Sequence, residues 1–445
     1  MGIHEEYRAK LRTPDEAVRV IRSGDWVDYT TSLGKPELLD RALAKRRDEL
    51  YDVKIRGNLI YSRIETAECD PTQEHFIYHS WHCSAYERKL CDRGLCYYIP
   101  MVFHNNSAYY RHFLTVNVAM MSVRPMDRHG YFNFSTSTGV CAQILRKADI
   151  VILEINENLP HLFGGYDECI HISEVDYVVE GEHEPFPEMP DPEPTETDIQ
   201  IAGYLMPYMQ DGMTLQLGIG SMPHALGKLL AESDLRDLGM HTELCSDAYL
   251  ELYRAGKLTN KCKNVNRGKG VLGVAIGSHA LYDWVDCNPG VAAFPLEYVN
   301  SPSVIGQIDN MTSINGCVAV DLFGQVSSES SGMRQISGTG GQLDFLLGAS
   351  ASKGGKAFLC MTSTYTDKNG ARHSRVLPHF NGDIITSPRS QVYYLATEYG
   401  VVNMEGRSTW ERAELLISLA HPDFREELIR AAQEQRIWRR SNRRG

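Results

Sequence analysis

Apolar positions along the chain follow two alternating patterns. Short apolar runs such as residues 148–155 (ADIVILEI) suit strands buried in a sheet, and the segments between them carry helix signals. Thr13-Pro14-Asp15-Glu16 is a capping box with proline at the first helical position, so a helix starts there. Strand-helix alternation resumes after residue 198, the pattern of parallel sheets whose crossovers need a helix to return the chain. Between the two stretches, residues 181–197 read GEHEPFPEMPDPEPTET. Prolines there remove backbone donors and acids add charge, so a linker is expected between a domain at 1–180 and another at 198–445.

The two halves resemble each other. GDWVDYTTSLGKPELLDRAL (24–43) aligns with GMTLQLGIGSMPHALGKLL (212–230) through one gap. Val27 and Tyr29 fall beside Leu215 and Leu217 as strand residues, Pro36 beside Pro223, and Leu39 and Leu43 beside Leu226 and Leu230. The expected architecture is therefore α/β, as two similar open-sheet domains. A length of 445 residues with 42% hydrophobic composition fits two cores rather than one.

Charge and cysteine usage narrow the function. A formal charge of −12 argues against nucleic-acid or anionic-membrane partners, and the basic tail at residues 436–444 is too short to reverse it. Apolar runs stop short of the roughly 20 residues a membrane helix needs. Eleven scattered cysteines, with an N-terminus that lacks a signal-peptide core, suit reduced thiols in cytoplasm. His75, His79, His82 and Cys83, followed by Cys91 and Cys96, contain metal-binding side chains, but their spacing matches no zinc motif. They are expected to pack, with no metal site.

Three segments could carry chemistry. LQLGIGSMPHAL (215–226) is a strand running into Gly218-Ile219-Gly220 and then a helix near Pro223, so its turn can offer backbone donors to an anion. Pro223 stands where a dinucleotide fingerprint needs its third glycine, although Glu243 follows at about the distance of a ribose-binding acid; a nicotinamide dinucleotide enzyme is the alternative from another class. Glu243 ends a short apolar stretch before a helix beginning near Ser246, at a sheet edge where ligands bind. In ISGTGGQLDFLLGAS (336–350), Gly338, Gly340 and Gly341 precede a helix without the Lys-Ser/Thr ending of a nucleotide loop. Glycine turns and a carboxylate together supply a nucleophile and oxyanion donors, the parts acyl transfer requires.

These segments, with ADIVILEINENLPHLFGG, HTELCSDAYLELYRAGKLTN, GVAIGSHALYDWV, INGCVAVDLFGQVSSE and TEYGVVNMEGRSTWERA, resemble the acetyl-CoA hydrolase/transferase family within the class I coenzyme A transferases. The likeness lies nearest its butyryl-CoA:acetate and 4-hydroxybutyrate branches and covers most of the chain from Ala148 onward. It implies that Glu243, in HTEL, forms an acyl-glutamyl anhydride and then a glutamyl-CoA thioester. It implies further that the turn around Ile219 and the loop at Gly340 and Gly341 donate to the intermediates, while Asn315 acts near the thioester oxygen. Coenzyme A is then a substrate held by the turns at Gly218, Gly220, Gly338, Gly340 and Gly341, with no tightly bound cofactor. Arg267 and Lys269 are phosphate partners by charge alone. Tyr29, Phe103, Met120 and Phe132 are candidates for an acyl pocket or for the core. Homodimerisation is implied too. An acyl-CoA hydrolase is the competing reading within the same chemistry, and a catalytically silent coenzyme A-binding protein is a further alternative.

Overall fold

The computed structural model describes residues 2–181 and 183–439. Glu182 of the linker segment and residues 440–444 of the basic tail lie outside the described residues. The chain divides into two compact units, one of Met1–Pro190, Glu243–Cys245 and Lys269–Asn300, the other of Asp191–Thr242, Ser246–Gly268 and Ser301–Gly445. The division is discontinuous, unlike the linear one drawn from the sequence, and it runs through a strand between Thr242 and Glu243.

The first sheet contains β1 (Trp26–Asp28), β2 (Val53–Gly57), β3 (Phe76–Ser80), β4 (Tyr97–Tyr98), β5 (Val118–Val123), β6 (Ile150–Ile155) and β7 (Tyr177–Glu180). Its order is β4-β3-β2-β1-β5-β6-β7, with every pairing parallel. Both faces are covered, so β5 is buried at all six residues. Val118 and Met120 join one core cluster, whereas Ala119, Met121 and Val123 join another, because successive side chains point to opposite faces. The apolar run at 148–155 is β6, as its composition predicts.

The second sheet contains β8 (Thr214–Leu217), β9 (Gly239–Cys245), β10 (Gly270–Ala275), β11 (Val291–Ala293), β12 (Met311–Gly316), β13 (Lys356–Cys360), β14 (Tyr394–Thr397) and β15 (Gly400–Asn403). Its order is β11-β10-β9-β8-β12-β13-β14-β15. Position for position this repeats the first sheet, with β8 in the place of β1 and β12 in that of β5; the antiparallel edge strand β15 is extra. The sequence repeat is thus a repeat of topology. Helix α1 (Glu37–Ala44) follows β1, and helix α2 (Ser221–Glu232) follows β8. In each sheet the winding reverses between the first and fifth strands of the set, and ligands of open α/β sheets bind beyond the carboxyl ends of the strands at such a reversal.

The capping box at Thr13 forms as its sequence predicts, with the Thr13 hydroxyl accepting from Glu16 N–H at 3.3 Å. No helix or strand interrupts residues 183–195, and the next helix (Glu196–Leu205) starts only after Thr195 caps it. Among the described residues no helix is long and apolar enough to cross a membrane.

Candidate active site

The glycine turn of the second unit sits at the reversal point. Gly218 N–H donates to the Ile314 carbonyl at 2.9 Å, which ties the end of β8 to β12. A side chain at Gly218 would meet only ordinary contacts, but Gly220 has φ +117°, a conformation that other residues avoid. That angle turns the chain into α2, which begins at Ser221, two residues before the proline that marks it in sequence. Ile219 between them is 53% exposed, on an open turn rather than in the core.

Across the reversal point, Gln216 and Asn315 exchange side-chain hydrogen bonds. Gln216 Nε2 donates to Asn315 Oδ1 at 3.0 Å, and Asn315 Nδ2 donates to Gln216 Oε1 at 2.9 Å. This reciprocal pair fixes both amides at the carboxyl ends of their strands. β8 pairs with β9 only at Thr214 and Leu215. Farther along, Leu217 N–H donates to the Tyr249 hydroxyl at 2.9 Å, so a side chain takes over where the neighbouring strand has left the ladder. A cavity of about 200 Å³ opens here, lined by Ile219, Gly220, Ser221, Gly316 and Thr362 among others.

Gly340 and Gly341 lead into helix α3 (Gln342–Ala351), which packs against β12. Gly338, Gly340 and Gly341 are all buried. Gly340 has φ +56°, whereas Gly341, the N-cap of the helix, has φ −98°. The second unit therefore places Gly218, Ile219, Gly220 and Asn315 together and builds the predicted loop-to-helix turn at Gly341. Arg267 is exposed and its Nε–H donates to the Lys261 carbonyl at 2.9 Å, while the Lys269 ammonium donates to the Pro289 carbonyl.

Glu243 belongs to the first unit and is half-buried. Its Oε2 accepts from Asn300 Nδ2 at 2.7 Å, a short charge-assisted bond. Asn300 is wholly buried and ends the helical turn Leu296–Val299. That turn is held by a backbone weave, in which Leu296 N–H donates to the Gly139 carbonyl at 2.8 Å and Gly139 N–H donates to the Gly273 carbonyl at 3.0 Å. Gly273 faces this crossing: a Cβ there would lie 2.5 Å from Leu296 Cδ2 and 3.0 Å from the Glu243 carbonyl oxygen. Asn300 is a site residue that the sequence did not single out, since it sits in no motif and 57 residues from its partner.

The first unit also has a cavity of about 620 Å³ beyond the carboxyl ends of β1, β5 and β6, with Ser32, Leu33, Lys35, Tyr61, Glu154 and Met189 in its wall. Thr30 and Ser32, in the turn that corresponds to the glycine turn of the second sheet, hold φ of 59° and 57°. Such angles in non-glycine residues are strained and concentrate at functional sites. Leu33, Tyr61 and Met189 pack against a cluster of Leu244, Val274 and Ile276, so the apolar wall of the cavity continues into the strand that carries Glu243. Lys35 is buried against Asp40 at 2.9 Å and Glu37 at 2.7 Å. Burial pushes the Glu154 carboxyl up to about 7, against the N–H donation of Leu39 and Leu38 to its Oε2 at 3.1 and 2.9 Å. Tyr29, Phe103, Met120 and Phe132 do not line this cavity; each packs in one of the two core clusters.

The histidines of the 75–83 segment, expected to pack, each have separate partners. His75 Nδ1 is bonded to the Leu50 carbonyl at 2.7 Å, the His79 ring lies between Trp26 and Tyr97, and the His82 ring is against Phe103. Only Cys83, Cys91 and Cys96 converge.

Comparison with known proteins decides the lineage. The acetyl-CoA hydrolase/transferase N-terminal domain matches residues 1–190 and the C-terminal domain of the same family matches 277–432. The chain is 48% identical over 445 residues to the butyryl-CoA:acetate CoA-transferase of Anaerostipes caccae, covering 99% of this chain and all of that one. The chain belongs to the acetyl-CoA hydrolase/transferase family. Solved structures of similar proteins include RipA from Yersinia pestis, with TM-score 0.90 and 35% identity, and the 4-hydroxybutyrate CoA-transferase of Porphyromonas gingivalis, with TM-score 0.80 and 30% identity. Each alignment covers 98% of this chain and 100% of the other. In this acetyl-CoA hydrolase/transferase family member, the two matched segments flank the stretch that contains the glycine turn and Glu243.

Proposed function

We propose that the protein transfers coenzyme A from a short-chain acyl-CoA, butyryl-CoA or a close analogue, to a small carboxylate such as acetate, with Glu243 as the covalent nucleophile. The observation that carries the chemistry is the half-buried Glu243 carboxylate, oriented by Asn300 at 2.7 Å on a strand whose next residue packs toward the apolar wall of a cavity. Family membership supports coenzyme A as the group transferred. Identity to the Anaerostipes caccae enzyme over nearly the whole of both chains supports the choice of acyl groups.

The steps balance without water. A Glu243 oxygen attacks the thioester carbonyl; the C–S bond breaks, the thiolate of coenzyme A leaves and a mixed anhydride forms. The thiolate then attacks the glutamyl carbonyl, releasing the donor acid as its carboxylate and leaving a glutamyl-CoA thioester. An acceptor carboxylate reverses the sequence. We assign oxyanion stabilisation to the Ile219, Gly340 and Gly341 N–H groups and to the Asn315 amide, because pre-positioned donors act best on charge that develops in the transition state. Gly218, Gly220 and Gly338 are assigned to coenzyme approach, and Arg267 and Lys269 to its phosphates.

Water must be kept from both covalent intermediates, since hydrolysis would turn transfer into acyl-CoA loss. Replacing Glu243 tests the assignment directly. Glu243→Ala is expected to abolish exchange while leaving the thermal midpoint close to that of the parent; ordinary turnover by the folded variant would end it.

A further inference from the structure

Three thiols of the first unit converge where no step of the transfer uses them. Cys83 follows β3, Cys91 stands in the last turn of the helix Ala85–Asp92, and Cys96 immediately precedes β4. Their sulfur atoms all lie within 4.8 Å of one another, and those of Cys83 and Cys91 are 3.7 Å apart. The backbone builds this arrangement. Ser84 caps the helix, its hydroxyl accepting from Tyr86 and Glu87 N–H at 3.2 and 3.1 Å. After the helix, Gly94 at φ +72° reverses the chain, and Leu95 N–H returns to the Leu90 carbonyl at 2.8 Å, which brings Cys96 back to the cluster. Cys83 and Cys96 are buried and Cys91 is half-buried.

The distances suit one kind of ligand. Zinc–sulfur bonds of about 2.3 Å in a tetrahedron separate the ligand sulfurs by about 3.8 Å. A disulfide would close a pair to about 2.05 Å, far inside the Cys83–Cys91 separation. Thiolates are also the side chains that select soft cations over magnesium or calcium.

We infer that Cys83, Cys91 and Cys96 bind a thiophilic cation of the zinc class through three thiolates, with the fourth position open to water on the side where Cys91 meets solvent. Each thiol gives up its proton to solvent as its sulfur–metal bond forms, so affinity rises with pH. The role is structural. β4 is only two residues long and pairs with β3 at His79 and Ser80 alone, and an ion at this point would join the loop after β3, the helix and the start of β4.

The full chain, reduced, freed of metal with a chelator and kept anaerobic, is titrated with Co²⁺ and then Zn²⁺. The expected result is sulfur-to-cobalt charge-transfer absorption that saturates at one ion per chain and disappears on Zn²⁺ addition, together with a higher thermal midpoint in Zn²⁺. Cys91→Ser should lose the absorption and the thermal shift, while Cys262→Ser, an exposed cysteine elsewhere, should keep both. Since a serine here could unfold the chain, Cys96→Ala is measured beside it, with circular dichroism as the check on folding. Native mass spectrometry of the wild-type protein gives the same answer without any variant. Absence of the absorption and of a metal adduct in the folded wild-type protein overturns the inference. So does a charge-transfer signal that survives in folded Cys91→Ser, or aerobic protein with a Cys83–Cys91 disulfide and no affinity for zinc once reduced.

Discussion

Asn300 Nδ2 donates to Glu243 Oε2 at 2.7 Å, from a position that is wholly buried. The bond selects one rotamer of Glu243 and fixes where its carboxylate oxygens lie. Under the role proposed for Glu243, Asn300 is a positioning residue. Asn300→Ala is expected to lower kcat by on the order of a hundredfold with a smaller change in KM, because misplacement of a reacting atom by about an ångström costs that much. Asn300→Asp adds a like charge and should move the acidic limb of the kcat–pH profile upward. A loss of melting temperature alone, with kcat and its pH profile unchanged, would make Asn300 a packing residue only.

Adjacent glycines in the GTGG loop should behave differently. Gly340 has φ +56°, so Gly340→Val is expected to lose stability and turnover together. Gly341 has φ −98° and accepts a side chain without backbone strain, at a helix-capping cost of about 1 kcal/mol. Gly341→Val should therefore retain most of its thermal midpoint while turnover falls. Steady-state rates and melting curves on both variants check this; a loss of turnover at Gly341 proportional to a collapsed midpoint would leave the glycine with a purely structural role.

Glu154 predicts the direction of a pH effect. Burial raises its carboxyl from 4.5 to about 7, so the fold favours the neutral acid. Its contribution to stability is complete below the unfolded value and is lost as pH rises through about 7. Glu154→Gln keeps an acceptor for Leu38 and Leu39 N–H but cannot ionise. Melting temperatures at about pH 5 and pH 8 should show the wild-type protein falling more between them than the variant. Equal falls would contradict the assignment.

Much of this was readable from the chain because strand-forming runs and helix caps are local signals. The likeness of residues 24–43 to 212–230 appears as β1 with α1 and β8 with α2 in equivalent places of two sheets. Asn300 was not readable. Its partner lies 57 residues away, and its place depends on the weave of Leu296, Gly139 and Gly273. For the same reason residues 243–245 and 269–300 group with the N-terminal unit, contrary to their order in sequence. Residue type also cannot separate core from cavity: Tyr29, Phe103, Met120 and Phe132 pack internally, whereas Leu33, Tyr61 and Met189 reach the cavity wall. Cys83, Cys91 and Cys96 were named in the sequence but read as packing residues, because they meet through a helix and the turn at Gly94 rather than through motif spacing.

The covalent role proposed for Glu243 is tested most directly by trapping its thioester. The protein is incubated with butyryl-CoA and no acceptor acid, treated with borohydride, and mapped by peptide mass spectrometry. A glutamyl thioester is more electrophilic than a free carboxylate, so reduction should convert Glu243 to its alcohol and inactivate the enzyme only when acyl-CoA is present. The same mechanism requires donor acid to leave before acceptor binds, giving parallel double-reciprocal lines. An unmodified Glu243 in enzyme that turns over, with intersecting lines, would contradict the account.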